Sequence, residues 1–200
     1  MCHFYNWLGG VKLIGTNKLT LIRQLRVHGK GNVVELHSHL PKDVKIYIYG
    51  NNHRLIIEEN VIFKEGVIWF EDNDCEIRIG KGTTIEEAHL AAAENGSRLT
   101  IGEDCMFSRG IRIVTTDSHS IIDLTTGNRT NFGKDVTIGN HVWLGYNVSV
   151  NKGCQIGDNS VVAGNSVVTK SLAKNTINAG IPAREVKTNV TWNRERITSQ

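Results

Sequence analysis

From Ile138 the chain places an aliphatic residue at every sixth position, at Leu144, Val150, Ile156, Val162 and Val168, with a second row four places after each at Val142, Val148, Cys154, Ser160 and Ser166. A helix repeats its apolar face every three to four residues and a flat strand every two, so neither accounts for a strict period of six. The period is that of a parallel β-solenoid, in which three short faces make a triangular coil of roughly 18 residues and one residue per face fills the interior. The position after each aliphatic residue is Gly139, Gly145, Asn151, Gly157 or Ala163, types that suit tight corners. Shorter runs with the same spacing come earlier: Ile57, Phe63, Trp69 and Cys75; Ile79, Ile85 and Ala91; Ile101, Phe107 and Ile113. The phase slips between them, as extra corner residues would cause. Roughly eight coils are expected on that coil length.

The expected architecture is all-β and single-domain. Residues 1–32 form an N-terminal cap, 33–170 the coils with an inserted loop at 114–135, and 171–200 a C-terminal cap and tail. A narrow aliphatic prism suits a chain with 20 glycines and 6% aromatic residues. No stretch reads as a membrane span or a signal peptide. Cys2, Cys75, Cys105 and Cys154 are too far apart in sequence for a metal or redox motif, which fits a reducing, cytoplasmic setting. Cys154 reads as a small core hydrophobe. Residues 1–54 carry eight Lys or Arg against two carboxylates, leaving the rest of the chain slightly negative. That asymmetry suits an anionic partner, and sparse aromatic residues there argue against nucleic acid.

Two features break the repeat. The stretch VTTDSHSIIDLTTGNRTNFGKD interrupts it after Ile113, and insertions on one side of a solenoid often carry binding or chemistry. It holds His119, a candidate proton acceptor, beside Thr115, Thr116, Asp117 and Asp123, any of which could fix the imidazole tautomer. Trp143 must point outward from its hexad, and leaving its large apolar ring in water forgoes several kcal/mol, so it meets a ligand or a partner subunit. Beyond the coils Lys170, Lys174, Arg184 and Lys187 gather, a set able to hold phosphates. The tail with Trp192 and Arg194 reads as a short helix or an extended arm.

These residues resemble the hexapeptide-repeat acyltransferases, left-handed β-helix enzymes that transfer acyl groups from coenzyme A. The handedness is implied by the resemblance alone, because ordinary parallel crossovers are right-handed in about 98% of cases. The segments TTDSHSI, NFGKDVTIGNHVWLGYNV and AGIPAREVKTNVTW are similar to those of the bacterial capsule sialic-acid O-acetyltransferases, including those acting on polysialic acid. The resemblance implies acetyl-CoA as acyl donor, a sialic-acid polysaccharide as acceptor, no metal, and a homotrimer with active sites between subunits. It places the general base on His119 and the site tryptophan on Trp143. It further implies that Gly145, Ala163 and Gly164 flank the pantetheine arm, with Lys170, Arg184 and Lys187 at the phosphates. Asp117, Lys12, Arg23 and Arg26 are the expected acceptor contacts, with Lys18 and Lys30 in the same basic stretch. Three other readings stay open: another acetyl acceptor, a non-catalytic solenoid, and a zinc-dependent enzyme using His89, His119 and His141.

Overall fold

The computed structural model describes residues 6–8, 10–15 and 23–198; Cys2 and Lys18 lie outside the described residues. In chain order the strands are β1 (Asn6–Leu8), β2 (Val11–Gly15), β3 (Leu25–His28), β4 (Asn32–Leu36), β5 (Val44–Tyr49), β6 (Arg54–Ile57) and β7 (Ile62–Phe70). They continue as β8 (Glu76–Ile79), β9 (Thr84–Ala92), β10 (Arg98–Ile101), β11 (Met106–Phe107), β12 (Ile111–Val114), β13 (Val136–Ile138) and β14 (Trp143–Leu144). The last six are β15 (Ser149–Val150), β16 (Gln155–Ile156), β17 (Val161–Val162), β18 (Val167–Val168), β19 (Thr176–Gly180) and β20 (Ala183–Thr188). No helix occurs among the described residues, so none there is long and apolar enough to cross a membrane.

The strands wind into a triangular parallel solenoid. Its first face stacks β2, β4, β6, β8, β10, β13 and β16. The second runs through the leading halves of β7 and β9 to β11, β14, β17 and β19, and the third through β3, β5, the trailing halves of β7 and β9, then β12, β15 and β18. The nine-residue β7 and β9 bend around the corner between second and third faces and so join them into one sheet. Gly66 makes one of these bends possible: at φ +143, a Cβ there would lie 2.0 Å from the Ala88 carbonyl oxygen of the next coil.

Coil length explains where the sequence reading was off. Arg54 pairs with Glu76 and Glu76 with Arg98, an advance of 22 residues per coil, whereas Trp143 pairs with Val161, an advance of 18. Seven full levels therefore stack on the first face rather than about eight, and an isolated Ile156–Leu172 bridge begins another. Within the longer coils the phase of six is lost, because β7 alternates with period two: Ile68 and Phe70 are buried while Trp69 faces outward, not inward as its spacing from Phe63 suggests. Parallel stacking also reaches further towards the N-terminus than residue 33. β2 already pairs with β4 and β3 with β5, and β1, antiparallel on β2, has the capping role. At the other end β20 folds back antiparallel on β19.

The 18-residue coils are filled by the two expected rows, with Ile138, Leu144, Val150, Ile156, Val162 and Val168 all buried beside Val142, Val148, Cys154, Ser160 and Ser166. The earlier coils bury the larger Phe63, Phe70 and Phe107 in the same interior. Emptying a packed aromatic site of this kind costs about 3–5 kcal/mol. Phe70→Ala should lower the chemical-denaturation free energy by about that amount; a loss under about 1 kcal/mol would mean that the earlier coils are not close-packed.

Candidate active site

The repeat breaks at the corner where the third face, ending in β12, turns towards the first face, beginning with β13. The loop that fills this gap carries His119 and is tied down by two sets of contacts. Lys152, at the same corner one coil further on, donates to the Asp117 carboxylate and to the Asn131 carbonyl, both at 2.6 Å. Asn131 is itself buried. Its amide donates to Asp117 Oδ2 at 2.9 Å and to the His119 carbonyl at 2.8 Å, while its side-chain oxygen accepts from the Ile121 N–H at 2.7 Å. Glu94, one coil before, holds the rest of the loop: it accepts from Arg129 at 2.5 Å, from Thr116 Oγ1 at 2.7 Å and from the Gly133 N–H at 2.8 Å.

These contacts set the protonation of both carboxylates. The Lys152 ammonium, then the Asn131 amide, hold the Asp117 carboxyl below the ordinary aspartate range. Burial works against ionising Glu94, but hydrogen bonds from Arg129, Thr116 and Gly133 outweigh it and lower its value as well. The result is a braced loop carrying an unencumbered imidazole. His119 is exposed, its backbone N–H donates to the Asp117 carbonyl at 2.8 Å, and its ring makes no hydrogen bond among the described residues. Ser118 before it sits at φ +68, a strained conformation for a non-glycine residue that the brace sustains.

None of the four neighbours expected to orient the imidazole does so. Asp117 is taken by Lys152 and Asn131, and Thr116 by Glu94. Thr115 bonds to Ala93 and Ser97 across the corner, and Asp123 caps its own turn at Thr125 and Thr126. Asp117 anchors the loop through Oδ2, which takes both bonds, while its side chain stays 41% exposed. Glu94, Asn131 and Lys152 were not legible in the sequence: their loop contacts described above span 10 to 39 residues, with no motif to connect them.

Trp143 opens β14 on the second face and is 38% exposed, outward as expected. The corner bearing the His119 loop is the one opposite the second face, so the full width of the first face separates the two residues within one chain. Gly145 and Gly164 follow on adjacent coils; a Cβ on Gly145 would meet the Gly164 nitrogen at 2.6 Å, so coil stacking alone accounts for that glycine. Ala163 is half-buried with its N–H on the Asn178 carbonyl at 2.8 Å. Lys170 and Arg184 do come together, lining a cleft of about 320 Å³ with Asn178 and Glu185. Asn178 Oδ1 is buried there without a partner, while Lys187 is exposed on β20 outside that lining.

The basic residues do not form one surface. Lys12 lies on the first face and Arg26 on the third, with Arg23 exposed in the turn before β3. The three histidines of the zinc reading are equally scattered: His89 stands on the third face, His119 in the loop, and His141 at the corner between first and second faces. No group of three or more His, Cys, Asp or Glu among the described residues is placed to hold a metal ion. The thiols of Cys75, Cys105 and Cys154 are buried and unpaired, and burial pushes Cys105 up to about 11, so it is no nucleophile at neutral pH.

The stacked six-residue repeat and the loop inserted in it are the features of one enzyme family, and the chain belongs to it: the hexapeptide-repeat transferases. A family model described as bacterial transferase hexapeptide (six repeats) matches residues 135–170. Among solved structures, that of the polySia-specific acetyltransferase NeuO superposes with a TM-score of 0.67 at 31% identity, covering 86% of this chain and 90% of that one. The polysialic acid O-acetyltransferase OatWY gives 0.61 at 33% identity, covering 87% of each. A polysialic acid O-acetyltransferase of Neisseria meningitidis is 40% identical over 141 residues, covering 70% of this chain. The chain spans 65% of that relative's length.

The anchors have a pH signature. Because the Asp117 and Glu94 values are lowered, their contribution is fully present above the unfolded carboxylate range of about pH 4 and is lost as pH falls through the lower folded values. Hydrogen exchange across residues 115–133 should stay slow at pH 5 in the parent, be faster in Lys152→Met at pH 5 and above, and differ less between the two as the carboxylates protonate; equal exchange at pH 5 and above would show that Lys152 does not hold the loop.

Proposed function

We propose that the chain is an acetyl-CoA-dependent O-acetyltransferase that acetylates hydroxyls of the sialic acid residues in polysialic acid, with His119 as general base and Trp143 in the acyl-donor site, working as a homotrimer. The observation that carries this reading is His119 itself, an exposed imidazole with both ring nitrogens available, on a loop held by Lys152, Asn131 and Glu94. A sugar hydroxyl attacks a thioester only as a base removes its proton, so the base must be unpaired and fixed in place. The relatives named as polysialic acid O-acetyltransferases support both the chemistry and the acceptor.

In this mechanism His119 takes the hydroxyl proton while the oxygen bonds to the acetyl carbonyl carbon, and returns it to the sulfur as the carbon–sulfur bond breaks. Trp143 offers apolar contact and an indole N–H where negative charge develops. Lys170 and Arg184 line one cleft and would meet the phosphates there. Since His119 and Trp143 lie on opposite sides of the prism, their cooperation requires two copies. Ile121, Ile122, Leu124 and Phe132 support that arrangement: all are exposed on the loop, Leu124 completely, as expected of a segment that packs on a neighbouring copy. The free buried thiols fit a cytoplasmic setting.

The third face supports an anionic acceptor. Beyond the bend its outward strand positions include Arg26, His28, Lys45, His89 and Arg112 and no carboxylate. On the first face, by contrast, Glu35, Arg54, Glu76, Glu58 and Arg78 pair with one another. Tyr47, Tyr49, Trp69 and His28 form a ring cluster among the third-face cations, with centroids 5.0 to 5.2 Å apart. Arg26, Lys45 and Arg112 have no ion-pair partner among the described residues.

Thiol release from acetyl-CoA should require polysialic acid and be abolished in folded His119→Ala and Trp143→Ala. Co-expressing the two inactive variants should restore about a quarter of the sites, those pairing an intact His119 with an intact Trp143 from different copies; no recovery would mean that the site is not shared. Reversing Arg26, Lys45 and Arg112 to Glu should raise KM for long polymer more than for short oligomers, and more steeply at low salt. Equal effects on both lengths would remove the third face from acceptor binding.

A further inference from the structure

His141 belongs to the NHVWLG segment but has no part in the mechanism above, and the tail beyond β20 carries no repeat. The two meet. Trp192, 8% exposed, lies flat on the His141 ring, with centroids 4.1 Å apart and planes within 6°. Trp192 Nε1–H donates to the His141 carbonyl at 2.7 Å, and His141 Nε2 lies 3.0 Å from the Trp192 carbonyl. The other ring nitrogen, Nδ1, is 2.7 Å from Asp104 Oδ2, so both edges of the imidazole are engaged and its orientation is fixed. Asp104 in turn accepts from Arg194 Nε at 3.0 Å. The Arg194 guanidinium stands over the Trp192 ring at 5.5 Å and donates to Thr84 Oγ1 at 2.9 Å and the Cys105 carbonyl at 3.0 Å. The tail is therefore an extended arm clamped onto the corner between the first and second faces.

What the arm touches next gives it a purpose. The Trp192 ring lies 6.1 Å from that of Trp143, tilted by 53°, a geometry of edge contact between aromatic rings. Trp143 projects outward from a two-residue strand, where several rotamers are open to it. A neighbouring ring held by its own N–H bond and stacked between His141 and Arg194 leaves fewer. We propose that Trp192 is a positioning residue for Trp143: the C-terminal arm forms a fixed wall against which the Trp143 indole is set, and so defines one side of the acyl-donor groove. The inference rests on the assignment of Trp143 to that groove.

Steady-state kinetics with acetyl-CoA on the trimeric full chain test it, using Trp192→Ala, Trp192→Phe, Arg194→Ala, Trp143→Ala and the double variant Trp143→Ala with Trp192→Ala. Trp192→Ala should raise KM for acetyl-CoA about tenfold with a smaller change in kcat, and Arg194→Ala should do the same to a lesser degree. Trp192→Phe keeps the stacked ring and should recover most of the loss. Because Trp143→Ala should have no turnover, the double variant is read by direct acetyl-CoA binding, and its Kd should be no worse than that of Trp143→Ala alone, since a residue that acts through another is not additive with it. Multiplying effects, or an unchanged KM in folded Trp192→Ala beside an impaired Trp143→Ala, would overturn the positioning role and leave the donor assignment of Trp143 standing. An unimpaired Trp143→Ala would instead remove that assignment and the inference with it. Should Trp192→Ala fail to fold or assemble, Arg194→Ala decides: an unchanged KM overturns the proposal and a raised one supports it.

Discussion

The prism is held by a hydrogen-bond ladder that runs along its axis, as in Gly139 N–H to Ile156, Gly145 N–H to Val162 and Asn151 N–H to Val168, at 2.8 to 3.0 Å. Each residue thereby sits over its counterpart one coil away, and side chains repeat with the backbone. Asn51 donates its amide to the Asn73 side-chain oxygen and Asn73 to that of Asn95, and Asn147 bonds to Asn165 in the same way. Such a ladder leaves open edges only at its two ends, where unpaired N–H and C=O groups invite further strands. The antiparallel β1 and β20 each cover one such edge, β1 on the first face at one end and β20 on the second face at the other. With flat faces locked in register, the corners are where the chain can add residues without breaking a ladder.

Two of the three corners use that freedom in the same way. Glu94 and Asp104 both adopt left-handed backbone angles, φ +74 and +51, and both receive an arginine from a segment outside the coils, Arg129 and Arg194. A left-handed non-glycine residue costs of order 1 kcal/mol, and the charge-assisted bonds that it presents are of similar or greater worth. In both carboxylates burial opposes ionisation and the hydrogen bonds outweigh it. The inserted loop and the C-terminal arm are thus secured by the same device at different edges of the prism.

What could be read from the sequence follows from which interactions are periodic. Ile138 to Val168 announce the narrow coils because each inward slot recurs at a fixed spacing. Trp69 was misplaced because β7 bends at Gly66 and resumes with period two, so a spacing of six no longer marks the interior. The start of the coils at Val11 was hidden for the same reason: coils of 21 or 22 residues mix both periods. His119 was visible as the histidine of an interruption, and Trp143 as an apolar ring at an outward position. Lys152, Glu94 and the Trp192–His141 stack were not, since contacts between coils or with the tail leave no spacing rule in one chain. The expected link from Asp117 to the imidazole failed on competition: Lys152 and Asn131 reach that carboxylate first.

Height along the axis adds a constraint that the faces alone do not. The loop leaves from β12, one coil before the level of β14 that carries Trp143, an offset of about 4.8 Å. Copies related by a rotation about an axis parallel to the prism are not shifted along it, so groups from two copies that act together must stand at equal height. Lys152 follows β15 in the same coil as Trp143, and its bonds to Asp117 and the Asn131 carbonyl draw the base of the loop down to that level. The anchor that took Asp117 away from the imidazole is, on this geometry, what would bring His119 level with Trp143 of a neighbouring copy. The proposed shared site would then depend on Lys152 as well as on the two residues that it would bring together.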